Sequence, residues 1–196
     1  MLKTIRPAIV SMTLFTLVFG LAYPLAMTGV IGALTPFQAG GSLVKDAGGQ
    51  VIGSGLLAQG FVKPEYLHPR PSAAGAGYDP MNSGGSNYGP LDKKLSDRVK
   101  GDADSIARLD GSRDIPVDAV TTSASGLDPD ISPANARMQA ARVASARGAS
   151  ASDIQAVIDS HTVHPVLGFI GQPAVNVLAV NRDLDAHYPM SHPKAP

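Results

Sequence analysis

The longest apolar run of the chain lies close to its N-terminus. Residues 8–34 (AIVSMTLFTLVFGLAYPLAMTGVIGAL) contain no charged side chain, and the nearest charges are Arg6 before the run and Lys45 after it. An α-helix of this length would extend roughly 40 Å, which exceeds a hydrocarbon thickness of about 30 Å. The pattern therefore predicts a membrane-spanning helix, in which Pro24 lacks an amide donor and is expected to cause a kink.

A cleaved secretory signal peptide is the main alternative, but its apolar region usually has only about 7–15 residues. We therefore favour an uncleaved anchor. Lys3 and Arg6 precede the run, and no positive charge lies close to its other end. The positive-inside rule then predicts a cytoplasmic N-terminus at residues 1–7, a transmembrane helix at residues 8–34 and an external domain at residues 35–196, with a single pass.

The remaining chain alternates short apolar runs with turn-forming segments, which predicts one extracytoplasmic α+β domain with a small sheet. Apolar runs at 42–45 and 51–57 flank Asp46–Gly49 and predict a β-hairpin. Apolar positions at helical spacing, together with capping residues, predict the other elements. These are helices within 90–111, over 134–148 after Ser132 and Pro133, and over 154–161 after Ser152 and Asp153, a strand over Ala174–Asn181, a loop over 115–133, and a frayed tail over 188–196.

A long segment rich in proline, glycine and serine interrupts this pattern. Residues 68–90 read HPRPSAAGAGYDPMNSGGSNYGP and hold almost nothing that could fill a core. Loops longer than about 12–15 residues are uncommon unless they are functional or disordered. Because this one carries polar and aromatic side chains, we predict a surface that docks on a partner.

Composition removes several function classes. Sixteen Lys and Arg balance sixteen Asp and Glu, so the chain lacks the basic excess typical of nucleic-acid binding. It has no cysteine, which excludes disulfides and cysteine-type zinc sites. The motifs of P-loops, dinucleotide folds, serine hydrolases and zinc proteases do not occur. His161 and His164 form a spaced pair, but a metal site needs three or four converging ligands. We therefore expect no catalytic and no metal-binding residue.

Two short motifs leave alternatives open. Ser83, Gly84, Gly85, Ser86 and Asn87 could turn backbone amides inward as an anion nest, or they could form a tight turn that docks on a partner. Asp128 and Asp130 could serve a cation or an acid/base step, or they could stabilise the N-terminus of the following helix. We favour the structural interpretation of both motifs.

Three arginines on the predicted helix, Arg137, Arg142 and Arg147, are spaced five residues apart and do not form one strict helical stripe. We interpret them as a solvated or partner-facing surface.

Long segments of the chain resemble one family. They are YLHPRPSAAGAGYD (66–79), SGGSNYGP (83–90), DAVTTSASGLDPDISPANARMQAARVASARG (118–148) and HTVHPVLGFIGQPAVNVLAVNRDLD (161–185), preceded by the apolar N-terminal run. On these residues the chain resembles the KdpC family, the C subunits of the bacterial Kdp potassium-transporting P-type ATPases.

The resemblance implies a non-catalytic accessory subunit of an ATP-driven potassium uptake pump. The implied partners are the channel-like subunit KdpA, the ATPase subunit KdpB and the small subunit KdpF. The implied role is that of a catalytic chaperone, which stabilises the complex and raises the affinity of the ATPase subunit for ATP. ATP is the implied nucleotide, bound with the ATPase subunit, and potassium is the transported ion. Ser83–Asn87 is the implied nucleotide contact.

That contact conflicts with the predicted topology, because ATP is cytoplasmic and residues 35–196 are predicted to lie outside. A second hypothesis therefore places oxygen atoms of Ser83, Asn87, Asp79 and Asp128 near the path of ion entry, since hard cations take oxygen ligands. The alternative from another class is a membrane-tethered periplasmic enzyme or ligand-binding domain that works without a pump.

Overall fold

The computed structural model describes residues 2–46 and 48–190. Two predictions fall partly outside these residues: the predicted hairpin turn includes Ala47, and the predicted tail includes residues 191–196. The chain divides into two units, with the boundary between Val44 and Lys45.

The N-terminal unit is dominated by one continuous helical segment. It consists of α1 (Leu2–Leu17), a π-helical turn (Val18–Ala22) and α2 (Tyr23–Leu34), followed by the short helix α3 (Pro36–Ala39). Over Lys3–Leu34 it is long and apolar enough to cross a membrane, and an 18-residue window within it has a mean hydropathy of 1.9. The helix begins before residue 8, so the membrane boundary at that residue stays a prediction.

Pro24 disturbs this helix by widening a turn. The amide of Tyr23 donates to the carbonyl of Val18, five residues earlier, in the π-helical turn just before the proline. A proline ring clashes with the carbonyl four residues before it, and a wider turn relieves that clash. The predicted perturbation at Pro24 therefore appears as a π-turn.

The second unit mixes helices and strands, as predicted. In chain order the elements are β1 (Leu43–Lys45, which spans the boundary between the units), β2 (Val51–Ser54), α4 (Lys93–Asp110), α5 (Val117–Val120), β3 (Asp130–Ile131), α6 (Pro133–Arg147), α7 (Ala151–Ser160), β4 (Thr162–Val163), β5 (Ala174–Asn176) and α8 (Val177–His187). Strands β1 and β2 form the predicted hairpin sheet, and a three-stranded antiparallel sheet has the order β3-β5-β4. Val175 in the central strand pairs with Ile131 on one side and Thr162 on the other.

The core lies between this small sheet and the helices α6, α7 and α8. Its fully buried side chains include Leu67, Val143, Ile154, Ile158, Val175, Val180 and Leu184. Helix α6 has the predicted ends: the Ser132 side chain accepts a hydrogen bond from the Asn135 amide, and Gly148 ends the helix at φ +66°. Local capping chemistry was therefore sufficient to predict the bounds of this element.

The predicted strand Ala174–Asn181 is wrong beyond Asn176. The Asn176 side chain accepts a hydrogen bond from the Ala179 amide and caps α8. Val177, Val180 and Leu184 then lie buried on one helical face. A short apolar run fits a strand or a buried helix equally well by its pattern, and the packing partner decides between them.

Two smaller predictions also change. Helix α7 is capped by Ser150 through a reciprocal capping box with Asp153, so the helix begins before the predicted Ser152. The predicted loop 115–133 contains the short helix α5 and the strand β3.

Candidate functional site

The long segment 68–90 is fixed at its entry by two buried side-chain amides. The Leu67 amide donates to Asn181 Oδ1 at 2.8 Å, and Asn181 Nδ2 donates to the Leu67 carbonyl at 2.9 Å. Gln139 does the same for His68, at 2.7 and 3.1 Å. Both amide side chains are almost completely buried. The loop therefore leaves the core from a defined position on α6 and α8.

The segment 68–90 also packs against the second loop, 121–128. Arg70 Nη1 lies 2.8 Å from Asp128 Oδ2 in an ion pair, and Ser72 Oγ donates to the Gly126 carbonyl at 2.6 Å. Gly126 has φ +66°, and a Cβ there would lie 2.7 Å from both the Ala74 amide nitrogen and the Gly84 carbonyl oxygen. No side chain fits at that approach, so the two loops form one ordered surface.

The predicted motif Ser83–Asn87 lies where these two loops meet. Ser83 Oγ and the Gly84 amide both donate to the Ser125 carbonyl, at 3.0 and 2.8 Å. The first half of the motif is therefore bound to the neighbouring loop. Among the described residues, the amides of Gly85, Ser86 and Asn87 have no hydrogen-bond acceptor.

A cavity of about 490 Å³ opens beside the second half of the motif. Gly85 and Ser86 line it on one side, and Arg98 and Asp102 of α4 line it on another. The Nε and Nη1 atoms of Arg98 and Oδ2 of Asp102 are inaccessible to solvent and have no hydrogen-bond partner in the described chain. Nη1 and Oδ2 are 3.8 Å apart, too far for a hydrogen bond.

The charged side chains that line the cavity are Arg98 and Asp102, which form an ion pair. Burial raises the pKa of Asp102, and the Arg98 guanidinium opposes that shift. Asp102 therefore carries its negative charge less readily than an exposed aspartate does. The amide groups of the motif and the unsatisfied guanidinium are both donors, which is the chemistry that binds phosphate or carboxylate oxygens.

The other predicted carboxylates have partners within the domain. Asp79 accepts hydrogen bonds from Asn82 Nδ2 and the Met81 amide, which lower its pKa. Asp128 pairs with Arg70, as described above. Asp130 accepts a hydrogen bond from Asn176 Nδ2 at 3.0 Å, although burial raises its pKa. The hydrogen bonds and ion pairs of these three carboxylates thus go to Asn82, Arg70 and Asn176 rather than to Ser83–Asn87.

The histidine pair separates in the fold. His161 Nε2 lies 2.9 Å from Asp183 Oδ2, and His164 is exposed. Within residues 2–46 and 48–190, no group of three or more histidine, aspartate or glutamate side chains could hold a metal ion. His161, the C-cap residue of α7, therefore forms a hydrogen bond with Asp183 of α8.

The interpretation of Arg142 and Arg147 as a solvated or partner-facing surface is wrong. The Arg142 side chain is buried, where it pairs with Asp110 Oδ1 at 2.7 Å and donates to the carbonyl oxygens of Pro64 and Tyr66. The Arg147 side chain is completely buried and donates to the Glu65 carbonyl at 2.7 Å. These arginines hold the segment before the long loop, and Arg137 alone of the three is exposed.

Sequence reasoning also missed Gln139, Asn181 and Arg98 as residues that build the surface. Gln139 lies on the buried face of α6 beside Ala136 and Val143, at helical spacing. A glutamine or asparagine side chain within an apolar helical face indicates a hydrogen bond to another segment in the core, because buried polar groups need hydrogen-bond partners. The partners themselves are far away in sequence and cannot be predicted from that signal.

Comparison with known proteins identifies the family. A family model described as KdpC, the K+-transporting ATPase c chain, matches residues 5–186. The chain belongs to the KdpC family. A potassium-transporting ATPase KdpC subunit of Caulobacter sp. (strain K31) is 65% identical over 189 residues, covering 96% of each chain. Those of Caulobacter vibrioides (strain NA1000 / CB15N) and Beijerinckia indica are 62% identical over 189 residues, covering 96% of each chain, and 52% identical over 198 residues, covering 100% of each.

The resemblance found in the sequence is thereby confirmed. The chain is an accessory subunit of a potassium-transporting ATPase complex, its partners are other subunits of that complex, and potassium is the transported ion. The alternative of a membrane-tethered domain without a pump is removed by this family membership.

Proposed function

We propose that this chain is a non-catalytic subunit that stabilises the potassium-transporting complex and raises the affinity of its ATPase subunit for ATP. The proposed arrangement has residues 1–7 in the cytoplasm, residues 8–34 in the inner membrane and residues 35–196 on the periplasmic side. Lys3 and Arg6 support this orientation through the positive-inside rule. KdpA, KdpB and KdpF are the proposed partners.

The ordered surface formed by the loops 68–90 and 121–128 carries this proposal. Asn181 and Gln139 hold its entry, and the Arg70–Asp128 pair and Gly126 hold its interior. A surface that is already ordered loses little conformational entropy when a partner binds, so its contacts contribute more fully to affinity. This is the expected property of a permanent docking surface.

The cavity beside Gly85, Ser86 and Arg98 is the proposed point of contact for an acidic side chain of a partner subunit. The free amides of Gly85, Ser86 and Asn87 would gain an acceptor, and the positive charge of Arg98, whose side chain is 24% exposed, would lie close to the added carboxylate. Suppose that the carboxylate reaches the cavity more easily when the ATPase subunit is in its conformation of high ATP affinity. Docking then shifts the conformational equilibrium of that subunit towards high ATP affinity. Linkage then requires that ATP tighten the contact by the same factor.

A nucleotide phosphate in the same cavity is the second candidate. The same donors favour it, because three consecutive free amides with an arginine can bind a phosphate. The predicted topology places this cavity away from cytoplasmic ATP, so we favour the partner's carboxylate.

The experiment compares purified complexes that contain the wild-type chain, Arg98→Gln or the control Arg137→Gln. Like Arg98, Arg137 lies within a helix, but Arg137 is exposed. We expect Arg98→Gln to raise the KM for ATP roughly tenfold, within the range of about 5- to 150-fold typical of allosteric coupling, and Arg137→Gln to leave it unchanged. An unchanged KM and unchanged assembly in Arg98→Gln would contradict the proposed contact.

Labelling separates the two candidates. In a Ser86→Cys variant, a membrane-impermeant thiol reagent should react from the periplasmic side of intact spheroplasts. Reaction only from the cytoplasmic side, together with attachment of a photoreactive ATP analogue to residues 83–87, would favour the nucleotide and overturn the proposed topology.

A further inference from the structure

An apolar hairpin projects from the edge of the three-stranded sheet, between β4 and β5. Val166 and Ile170 pair across it as an isolated antiparallel bridge. Its large side chains are between 54% and 79% exposed. We call this set the apolar tip: Val163, Val166, Leu167, Phe169 and Ile170.

The backbone of the apolar tip satisfies most of its own hydrogen bonds. Val166 and Ile170 exchange two bonds of 3.0 Å, and the amides of Gly168 and Phe169 donate to the carbonyls of Pro165 and Val166. A buried amide without a partner is costly, so a hairpin satisfied in this way can enter an apolar environment cheaply. The tip thus offers side chains without exposing many unpaired backbone groups.

The turn that presents the side chains has a defined conformation. Leu167 has φ +55° and Gly168 has φ +81°, both in the left-handed region. That region is uncommon for a branched apolar residue. The conformation places Leu167 and Phe169 at the apex, where they are the two most exposed members of the tip.

Charge indicates what kind of surface covers the tip. The chain has no Asp, Glu, Lys or Arg between His164 and Arg182. Segments that lie in the lipid headgroup layer usually carry Lys, Arg, Trp or Tyr, and residues 162–176 contain none of these. An uncharged tip matches an uncharged protein cleft better than it matches a headgroup layer.

We propose that the apolar tip inserts into an uncharged, apolar cleft on another subunit of the potassium-transporting ATPase, with Leu167 and Phe169 as its anchors. The partner follows from membership of the KdpC family, which makes this chain one subunit of a larger complex. The inference rests on the complex-stabilising part of the proposed function and is independent of the ATP-affinity part. Contiguous exposed apolar patches of this kind mark interaction sites.

The first test is site-specific photo-crosslinking in the assembled complex. A photoreactive phenylalanine analogue replaces Phe169 in the full chain, and the same analogue at Leu91, which is 98% exposed on another segment, serves as the control. We expect illumination to join position 169 to another subunit of the ATPase, identified by mass spectrometry, and position 91 to give much less of that product. Adducts with lipid, or with a second copy of this chain, overturn the proposal.

The second test measures assembly directly. We expect the double variant Leu167→Ser/Phe169→Ser to weaken association with the other subunits at least about tenfold, as is typical when buried apolar anchors are truncated. The matched control is Val62→Ser/Val117→Ser, whose two apolar side chains are 80% and 74% exposed and lie outside both the tip and the loops 68–90 and 121–128. Association within twofold of wild type in the tip variant overturns the proposal.

The thermal transition of each variant separates loss of docking from loss of folding. Because the tip side chains are exposed, we expect the tip variant to have the same transition temperature as the wild-type chain. If its transition temperature is lower, the photo-crosslinking result alone decides whether the tip docks on another subunit. Failure of the ATP-affinity proposal is a different result. A tip that crosslinks and is needed for assembly, in a complex whose KM for ATP does not respond to Arg98→Gln, supports this inference and contradicts the contact proposed above.

Discussion

The clamp between Asn181 and Leu67 gives the sharpest test of how the docking surface is held. The Asn181 side chain is 1% exposed and Leu67 is completely buried. The two hydrogen bonds between them satisfy both the amide and the carbonyl of Leu67. Asn181→Leu keeps a similar side-chain volume but removes both bonds, so two buried backbone groups lose their partners.

The expected cost follows from those two groups. Each unsatisfied buried group costs about 1–3 kcal/mol, so the pair costs about 2–6 kcal/mol. The additional apolar burial of leucine offsets about 1–2 kcal/mol of this. Subtracting the two ranges gives a net loss of about 0–5 kcal/mol in the free energy of unfolding, with a central value of about 2.5 kcal/mol. With a denaturant slope of about 2 kcal/mol/M, that central value lowers the urea midpoint by about 1 M.

The assay is urea unfolding of the full chain in mild detergent, followed by circular dichroism. Asn82→Leu is the control, because the Asn82 side chain is exposed and its bond to Asp79 is exposed to solvent. We expect that control to change the free energy by less than about 0.5 kcal/mol. Equal midpoints for Asn181→Leu and Asn82→Leu would refute the argument that the clamp stabilises the loop.

A second substitution at the same site tests the direction of the bonds. Asn181→Asp keeps an acceptor for the Leu67 amide but, when ionised, it has no donor for the Leu67 carbonyl. Burial should raise the pKa of this new carboxyl. A raised folded-state pKa gives stability that is present below the unfolded value and is lost as pH rises through the folded value. The variant should therefore be less destabilised near pH 4 than at pH 7; the opposite trend would contradict the assigned orientation of the amide.

Three other expectations follow from the packing around the loops. Arg142→Met should destabilise the chain by about 3–5 kcal/mol because it leaves the buried Asp110 carboxylate unpaired and the carbonyls of Pro64 and Tyr66 without this donor, and adding Asp110→Leu should restore only the part due to Asp110 in urea unfolding. Gly126→Ala should cost at least about 1 kcal/mol more than Gly111→Ala: both glycines have positive φ, but a Cβ at Gly111 meets no atom within 4 Å. Burial raises the pKa of Tyr78 to about 12 and also raises the pKa of Tyr66, so Tyr78→Phe should remove the latest tyrosine of the ultraviolet titration, and stability should decline as pH rises from about 10 through about 12.

The elements predicted correctly are those whose determinants are local in the sequence. Residues 8–34 form a helix because a long run without charge leaves the backbone no other way to satisfy its hydrogen bonds in lipid. Helix α6 begins at Ser132 and Pro133 and ends at Gly148 because caps act over one turn of backbone. The family was recognised by its long segments of unusual sequence. The docking role of the loop 68–90, inferred from its length and composition, stays a prediction.

The tertiary structure decided what depends on distant partners. Residues 177–181 became helix because Val180 and Leu184 pack into a core with α6 and α7, which their short pattern could not specify. Arg147 became a buried clamp because the carbonyl of Glu65, 82 positions away in the chain, lies within its reach. The cavity between Ser86 and Arg98 likewise forms only where separate segments of the chain meet. Sequence patterns report propensity and periodicity over a few residues, whereas burial and hydrogen-bond satisfaction are set by which segments meet, and that is known only once the chain is folded.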